Sequence, residues 1–386
     1  MQSYDFFLPK QKKLYLCMKD LTGWNMSERK YTSIASLGQF KFVDRLCAPF
    51  VASNSSTVKG CGDDAAVIDA GDKYLLVSTD LLLEGVQFDL TYCPLQHLGY
   101  KTVVAGISDI LAMNGTPRQL TLGVGISARF SVEMIEQLYE GVRYACKEYG
   151  VDLVGGDTSA SVNGLTLAVT VIGEVAKDKI VYRNGAQVND LICVTGALGG
   201  AYMGLHLLER EKRALAGHPN PHPKFEGYEY ILGRQLRPVA RQDIIQELAK
   251  ANLVPTSMID ITDGLASEIL HLCKDSDKGA RIYLNRLPIA QETHRMAEEL
   301  HADPVVAALN GGDDFELLFT VPLARQEEVF ALGLDVIGHI TAAGTGVALV
   351  TPDDQLIPVQ APGWVTEKQD TDQQPEASDP QPHPAK

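Results

Sequence analysis

Apolar residues recur at helical spacing in some stretches of this chain and alternate with polar residues in others. The helical spacing predicts a helix over 98–113 that ends at Asn114-Gly115, and a second over 132–149 between the N-cap Ser131 and Gly150. It predicts further helices at 33–47, 196–208, 239–252 and 265–274. Short apolar runs bounded by polar turns predict strands at 65–69, 74–78, 121–126, 151–154, 165–175, 191–195, 258–261, 281–284 and 315–321. Strands and helices alternate irregularly, which predicts an α/β fold of the α+β type.

The chain becomes polar over 177–185 before a new strand, so we expect a domain boundary between residues 26–180 and 181–364. The segment 155–158 is predicted to be a loop between two strands, and 211–236, rich in Pro, Gly and His, an irregular insertion. We interpret residues 1–25 as a disordered extension or a mis-assigned start. Residues 365–386 are rich in Pro, Gln, Asp and Glu and nearly devoid of apolar groups, which predicts a disordered tail.

Composition and charge limit the classes of partner. The chain has 386 residues, 45% of them apolar and 22% charged, which is typical of a globular protein with two or three domains. Its formal net charge of −15 disfavours broad electrostatic binding to nucleic acid or to an anionic membrane. An anionic substrate would therefore be held by metal ions or by local hydrogen-bond donors.

The cysteines indicate a reducing compartment. There are seven, scattered along the chain without a Cys-x-x-Cys pair, which favours free thiols over a disulfide framework or a zinc site. No apolar run approaches the length of a membrane span, and the first 25 residues lack the features of a secretion signal. We expect a cytoplasmic protein.

Aspartates stand beside glycine, serine or threonine in six short segments. Carboxylates on turns, next to small residues that let phosphates approach, suit magnesium and nucleotides. If the segments converged, their charges would repel one another unless divalent cations were bound. Any one segment alone is compatible with an ordinary turn. The segments are Gly-Cys-Gly-Asp-Asp (60–64), Ser-Thr-Asp (78–80), Ile-Ser-Asp (107–109), Gly-Gly-Asp-Thr (155–158), Asp-Ile-Thr-Asp-Gly (260–264) and Gly-Gly-Asp-Asp (311–314).

Several familiar sites are excluded by their spacing. The chain has no Walker-type phosphate loop, no protein-kinase motif set and no Gly-x-Ser-x-Gly elbow. The segment from Asp260 is not an EF-hand, because Leu265 and His271 stand where glycine and glutamate are required. The turn Gly196-Ala-Leu-Gly-Gly lacks dinucleotide-binding spacing, and we interpret it first as a packing turn. Metal-assisted phosphoryl transfer remains, since that reaction depends on positioning and charge neutralisation.

The order of the motifs resembles one family over residues 32–364. Gly-Asp-Asp-Ala-Ala, Ser-Thr-Asp, Glu-Gly-Val-x-Phe, Ser-Asp-Ile-Leu-Ala-Met, Gly-Gly-Asp-Thr, Ile-Asp-Ile-Thr-Asp-Gly-Leu and Gly-Gly-Asp-Asp-Phe-Glu-Leu follow one another as in the thiamine-monophosphate kinases. These belong to the superfamily of aminoimidazole ribonucleotide synthetase and selenophosphate synthetase. The resemblance implies ATP-dependent phosphorylation of thiamine monophosphate to thiamine diphosphate. It also implies a two-domain PurM-like fold, with ATP and magnesium in the N-terminal domain and N-terminal strands that pair across a homodimer.

The resemblance also implies roles for individual residues. Several Mg²⁺ ions would be held by Asp64, Ser78, Thr79, Asp80, Asp109, Asp157, Asp260 and Asp263. ATP would contact Gly156, Asp157, Arg183 and Thr262. Thiamine monophosphate would contact Gln87, Asp313 and Trp364. No residue is expected to act as a general base, because a phosphate monoester with a second pKa of about 6 is already largely ionised near neutrality.

Three positions depart from the usual family pattern. Gln87 stands where histidine is common, Thr262 where serine is usual and Asp313 where glutamate is usual. These changes affect the substrate contacts more than the metal set. Some residues also have simpler interpretations: Asp63 as a turn residue, Arg183 as a surface residue and Thr262 as a helix cap.

Two other functions stay open on the sequence. One is another ATP-dependent synthetase of the superfamily, of the aminoimidazole ribonucleotide or selenophosphate type. The other is a non-catalytic nucleotide-binding regulator. A selenide-activating enzyme would need a reactive cysteine or selenocysteine near its N-terminus, and Cys17 and Cys47 lie outside any glycine-rich reactive loop. A regulator would not need so many carboxylates.

Overall fold

The computed structural model describes Ile34 and residues 39–217 and 223–361. The chain divides into two compact units, Met1–Leu46 with Trp364–Lys386, and Cys47–Gly363. The described part of the first unit is Ile34 and most of helix α1, Gln39–Cys47. The predictions for residues 1–25, for the tail at 365–386 and for Trp364 fall outside the described residues. No helix among the described residues is long and apolar enough to cross a bilayer.

Six strands of the second unit form a first sheet in the order β1-β2-β3-β6-β4-β5. They are β1 Thr57–Lys59, β2 Ala66–Asp69, β3 Lys73–Leu83, β4 Thr116–Ile126, β5 Asp152–Ala160 and β6 Leu165–Ala176. Strands β2 and β3 form the hairpin that the sequence predicts. Neighbouring strands are antiparallel except β4 and β5, which are parallel. Strand β5 lies at an edge of the sheet.

Two long helices pack beside this sheet, α2 (Leu95–Ala112) and α3 (Val132–Tyr149). The predicted limits of α3 are confirmed, because the Ser131 side chain accepts a hydrogen bond from the Met134 amide and Gly150 is left-handed. The two helices lie very close together. A Cβ atom on Gly141 would lie 1.9 Å from the Gln96 carbonyl oxygen, so only glycine allows this contact.

Seven strands form a second sheet in the order β13-β12-β9-β11-β7-β10-β8. They are β7 Leu191–Val194, β8 Ser257–Ile261, β9 Gly279–Tyr283, β10 Glu316–Val321, β11 Asp335–Thr341, β12 Val347–Val350 and β13 Leu356–Pro358. The helices of this half are α4 Gly200–Ala214, α5 Glu229–Leu236, α6 Gln242–Lys250, α7 Leu265–Ser276, α8 Gln291–Glu299, α9 Pro304–Asn310 and α10 Gln326–Ala331. Mixed sheets with helices confirm the predicted α/β class.

Two predictions about local structure are wrong. The segment 155–158 is not a loop, because β5 continues through it and pairs with β4. The segment 211–236 is not irregular throughout, because α4 extends to Ala214 and α5 occupies residues 229–236. Helix α5 forms because Ile231 packs with Met203 and Leu207 of α4 in a small core. A Cβ atom on Gly204 would lie 2.2 Å from the Ile231 carbonyl oxygen, so the two helices pack closely there.

Helix α2 contacts both halves of the unit. It packs on β3 and β6 of the first sheet and on β8 of the second. One hydrophobic core therefore includes Ile107 of α2, Val169 of β6 and Met258 of β8. This placement lets polar residues of α2 meet polar residues from distant parts of the chain.

Candidate active site

Three carboxylates converge beside α2. Asp64 lies in the bend before β2, Asp109 near the end of α2 and Asp260 in β8. One oxygen atom from each lies within 4.8 Å of the others. Asp64 and Asp260 are buried and Asp109 is half-buried. Three of the six aspartate segments thus meet at one point.

The close approach of α2 to the sheet depends on a glycine. A Cβ atom on Gly106 would lie 2.7 Å from Cγ2 of Val171 in β6 and 3.6 Å from Oδ2 of Asp80 in β3. A larger residue would push α2 away from the sheet. Gly106 therefore lets the helix bring Asp109 towards Asp80, and the two charges are close enough for Asp80 to raise the pKa of Asp109.

Two serine hydroxyls orient the carboxylates. Ser78 Oγ donates to Asp109 Oδ2. Ser108 Oγ donates to Asp260 Oδ2 at 2.5 Å and links α2 to β8. Ser78 and Asp80 are two residues apart in β3 and hence lie on the same face of the sheet. Ser108 was not predicted, although its place beside Asp109 in Ile-Ser-Asp was a signal.

Arg183 joins the cluster from the link between the two halves. Its Nε donates to Asp64 Oδ1 at 3.0 Å, and its backbone amide donates to Asp63 Oδ1 at 3.1 Å. The surface interpretation of Arg183 is therefore wrong. Asp63 also accepts from the Asp64 amide at 3.2 Å, as expected for a turn residue.

Burial and mutual repulsion raise the pKa values of the cluster. Burial raises the pKa of Asp64 to about 7, and the charge of Asp260 adds to the effect while Arg183 opposes it. Burial likewise raises the pKa values of Asp80 and Asp260 to about 6. The pKa of Asp109 lies well above its ordinary value because of burial and the charges of Asp80 and Asp260. Without cations, the cluster therefore binds protons more tightly than ordinary carboxyl groups do.

The residues of the cluster fit magnesium. Asp64 Oδ2 and Asp80 Oδ2 are buried, and neither accepts a hydrogen bond from the described residues. A buried polar atom without a partner is costly, so a ligand for these oxygens would be stabilising. Mg²⁺ prefers carboxylate and other oxygen ligands. The charge of Arg183 does not fully offset the burial of the Asp64 carboxylate, because the pKa of Asp64 stays raised beside it.

The loop 311–314 lies against the segment that follows β8. The Asp313 amide donates to the Thr262 carbonyl at 2.8 Å. Gly312 has φ +75°, and a Cβ atom there would lie 2.4 Å from the Thr262 carbonyl oxygen, so glycine is required. Burial raises the pKa of Asp263, and the charge of Asp313 adds to the effect. Thr262, Asp263 and Asp313 therefore lie together at one side of the cluster.

Other predicted residues lie elsewhere. The Thr79 hydroxyl is 2.9 Å from that of Thr170 on the face of the first sheet that α2 does not cover. Asp157 is exposed in β5, and its strand pairing places it on that same open face. Three strand spacings, about 14 Å, separate β5 from the strand of Asp80. The metal roles of the Thr79 and Asp157 side chains therefore gain no support from this arrangement.

Two more predicted contacts also lie apart from the cluster. Gly156 is exposed next to Asp157 in β5. Gln87 accepts a hydrogen bond from the Leu83 amide at 2.9 Å in the turn after β3. Their roles, like that of Trp364, stay predictions.

Two buried charged residues were missed from the sequence. Glu268 in the first turn of α7 accepts from the Asp263 amide at 3.0 Å, and burial together with Asp260 and Asp263 raises its pKa well above the ordinary value. Lys101 in α2 lies 2.8 Å from Asp313 Oδ2. Lys101 stands in a helix whose other residues are mostly apolar and buried. Because lysines are rarely buried unless they are paired, this position was a signal for an ion pair.

The raised pKa values predict how pH and magnesium affect stability. An aspartate has an ordinary pKa of 3.8, whereas that of Asp64 is about 7 in the folded state. The folded state thus binds more protons than the unfolded state between these values, so stability falls as pH rises through this range. We expect the metal-free protein to melt several degrees lower at pH 8 than at pH 5.5, and Mg²⁺ to stabilise it more at pH 8.

Thermal melts with a chelator or with Mg²⁺ at the two pH values measure this effect. The pH dependence should be weaker in Asp80→Asn, because one of the repelling carboxyl groups is removed. A metal-free protein that is equally stable at both values, or that Mg²⁺ stabilises more at pH 5.5, contradicts the prediction.

Comparisons with known proteins agree with this architecture. The family model described as AIR synthase related protein, N-terminal domain, matches residues 62–175, and the corresponding C-terminal domain model matches residues 187–355. The thiamine-monophosphate kinase of Aquifex aeolicus (strain VF5) is 32% identical over 315 residues, which cover 81% of this chain and 94% of that protein. That of Bacillus subtilis (strain 168) is 32% identical over 325 residues, covering 82% and 95%.

Solved structures have the same fold. A structure described as AaThiL complexed with AMPPCP and TMP matches with a TM-score of 0.74 and 29% identity, and covers 85% of this chain and 97% of that one. The hydrogenase maturation protein HypE in complex with ATP matches with a TM-score of 0.61 at 18% identity, which shows similarity of fold alone.

Proposed function

The chain belongs to the thiamine-monophosphate kinase family of AIR synthase related proteins, and we propose that it transfers a phosphoryl group from ATP to thiamine monophosphate. The products are ADP and thiamine diphosphate. The observation that carries this proposal is the solved relative with AMPPCP and TMP, matched over 97% of its length. In this chain, the converging carboxylates of Asp64, Asp109 and Asp260 supply a site of the kind that such a reaction needs.

We propose that Asp64, Asp80, Asp109 and Asp260 hold Mg²⁺, with Asp263 at a further ion beside them. When bound, the ions supply charge neutralisation between two phosphate groups that otherwise repel each other. Ser78 and Ser108 keep the carboxylates of Asp109 and Asp260 oriented by hydrogen bonds. The metal roles of Thr79 and Asp157 stay part of the proposal without a contact to the cluster.

In this proposal, ATP and thiamine monophosphate contact residues from different elements of the fold. Arg183 lies at the cluster and can donate to an ATP phosphate when it leaves Asp64. Thr262 precedes Asp263, whose carboxylate is close enough to Arg183 for the arginine to lower its pKa. Gly156 and Asp157 would contact ATP from β5. The acceptor would lie by Asp313, with Gln87 and Trp364 as further contacts. The phosphate of thiamine monophosphate is the nucleophile, and because it is already largely ionised the site needs no general base.

The experiment that tests this function follows product formation. Purified protein is incubated with ATP, Mg²⁺ and thiamine monophosphate, and thiamine diphosphate and ADP are quantified by chromatography. We expect the two products in equal amounts, and none with unphosphorylated thiamine as the matched acceptor. ATP binding without thiamine diphosphate would contradict the kinase and favour a nucleotide-binding regulator. ADP formation that requires added selenide or an added amide substrate in place of thiamine monophosphate would favour a superfamily synthetase.

We further propose that a second copy of the chain covers the open face of the first sheet, as the family resemblance implies. Two leucines of β3 are exposed there, Leu81 at 54% and Leu83 at 36%, on the same side of the strand as Thr79. All nine residues of the edge strand β5 are exposed, and a free edge strand is normally paired or protected. A homodimer would bury these groups and would also cover Asp157 and Thr79.

This proposal predicts a dimer that a single charge disrupts. The wild-type chain should sediment at twice its 42.0 kDa mass, and Leu81→Glu should shift the equilibrium to the monomer by burying an unpaired charge. Val132→Glu serves as a control, because Val132 is 70% exposed in the first turn of α3, away from that face. A monomeric wild type, or a Leu81→Glu variant that stays dimeric, contradicts the proposal.

The proposal extends to the domain boundary and to the compartment of the protein. We propose domains at 26–180, with the first sheet, and 181–364, with the second; the interval between the two family models supports a boundary near 180. We also propose that the enzyme works in the cytoplasm, which the free thiols of Cys61, Cys93, Cys146, Cys193 and Cys273 support.

A further inference from the structure

Lys101 is a buried cation at the side of the site where the acceptor would bind. Only 5% of its surface is exposed. Its ammonium group donates to Asp313 Oδ2 at 2.8 Å and to the Gln235 carbonyl oxygen at 3.1 Å. It thereby connects α2 with the loop 311–314 and with the end of α5.

A lysine in this position needs its partners. Its neighbours in α2 include Leu98 and Val104, both fully buried. An ammonium group is costly in such surroundings unless it is paired and hydrogen-bonded. Asp313 supplies the opposite charge, and the Gln235 carbonyl a second acceptor. Because the Gln235 contact is to the backbone, it holds the ammonium group whatever residue stands at 313.

Helix α2 carries residues of the proposed metal site and also Lys101, which contacts the proposed acceptor site. Lys101, Ser108 and Asp109 are separated by seven and eight positions, which places them on one side of α2. The helical rise puts Lys101 about 12 Å along the axis from Asp109. Since α2 is a rigid element buried between the two sheets, this separation is set before any ligand binds.

Asp313 is itself held in an unusual conformation. It has φ +57°, a left-handed value that is uncommon for residues other than glycine, and Phe315 nearby has φ +52°. The Asp313 side chain is 39% exposed. Lys101 therefore binds one carboxylate oxygen, while the partly exposed side chain stays accessible to a ligand.

We propose that Lys101 is a positioning residue that fixes the Asp313 carboxylate for the acceptor substrate. The inference rests on the proposed function, in which Asp313 contacts thiamine monophosphate. With one oxygen held by Lys101, Asp313 presents the other to the cationic ring or to a donor group of the acceptor. An aspartate is one methylene shorter than the glutamate usual in the family, so this ion pair determines where the shorter carboxylate lies.

The test is a double-mutant cycle with Lys101→Met, Asp313→Asn and both together, in initial-rate assays that vary each substrate. Lys101→Met should raise the KM for thiamine monophosphate about tenfold and the KM for ATP less than about twofold. The double variant should be no worse than Asp313→Asn alone, because the Lys101 effect acts through Asp313. Lys147→Met, on the exposed side of α3, is the control and should behave like the wild type.

Several outcomes overturn the inference. Equal increases in both KM values, or additive effects in the double variant, would show that Lys101 does not act through Asp313. If Lys101→Met does not fold, Lys101→Gln replaces it, since an amide can still donate to the Gln235 carbonyl, and the same acceptor-specific KM increase is expected. A wild type that makes no thiamine diphosphate overturns both the function and this inference. An active wild type with an additive cycle overturns the inference alone.

Discussion

Asp80→Asn should abolish turnover while the protein remains folded, with kcat reduced roughly a thousandfold or more. The substituted side chain keeps its shape but loses the charge that would bind Mg²⁺. Asp80 Oδ2 is buried without a hydrogen-bond partner among the described residues, so the side chain stabilises the fold little through its own contacts. Its removal also lowers the repulsion on Asp109. The metal-free variant should therefore be at least as stable as the wild type at pH 8.

The measurement combines kinetics with thermal melts. Asp275→Asn is the matched control, because Asp275 is exposed on α7 and the substitution makes the same chemical change. Activity within tenfold of the wild type in Asp80→Asn would contradict a metal role. A large fall in stability would instead assign Asp80 to the fold.

Glu316→Gln should cause the largest loss of stability, about 3 kcal/mol in the free energy of unfolding. Glu316 is buried at the start of β10 and binds two arginines, Arg234 Nη1 at 2.9 Å and Arg241 Nη1 at 2.6 Å. Thr195 Oγ1 also donates to it, at 2.5 Å. A neutral glutamine would leave two buried guanidinium groups with less opposing charge. Their burial then costs more than in the wild type.

Denaturant titration measures this loss, and Glu327→Gln on the exposed side of α10 is the control. The arginines that bind Glu316 also hold the loop 311–314, since Arg234 Nη2 donates to the Asp314 carbonyl oxygen at 3.0 Å. We therefore expect a higher KM for thiamine monophosphate in the folded fraction of Glu316→Gln. A stability change below about 1 kcal/mol would mean that Asp314, 3.7 Å from Arg234, and Asp243, 3.0 Å from Arg241, are enough to neutralise the two arginines.

The same network explains a motif that the sequence left ambiguous. A Cβ atom on Gly196 would lie 2.5 Å from Glu316 Oε1. Gly196 therefore makes room for the buried carboxylate, which confirms that its turn is first a packing turn. The sequence indicated this from the wrong spacing for a dinucleotide site, but it could not identify Glu316 as the neighbour.

Local signals predicted some parts of the fold better than others. The limits of α3 were readable because Ser131 and Gly150 act within one turn of the helix. Strand β5 was misread at 155–158, because glycines favour loops locally while pairing with β4 supplies the hydrogen bonds of a strand. The segment 211–236 was misread for a similar reason: its composition favours loops, but Ile231 has an apolar surface on α4 to pack against.

The chemistry of this protein and the order of its motifs can be read from its sequence. Aspartates beside small residues favour oxygen ligands on turns whatever the surrounding fold, so the pattern indicated a metal site, and the family resemblance named its candidate ligands. The tertiary structure determines which of these aspartates meet: Asp64, Asp109 and Asp260 converge, whereas Asp157 lies on an edge strand. It alone paired Lys101 with Asp313, 212 positions apart. The physical reason is that burial and long-range packing, which set the charges and distances of a site, depend on contacts that no local pattern encodes.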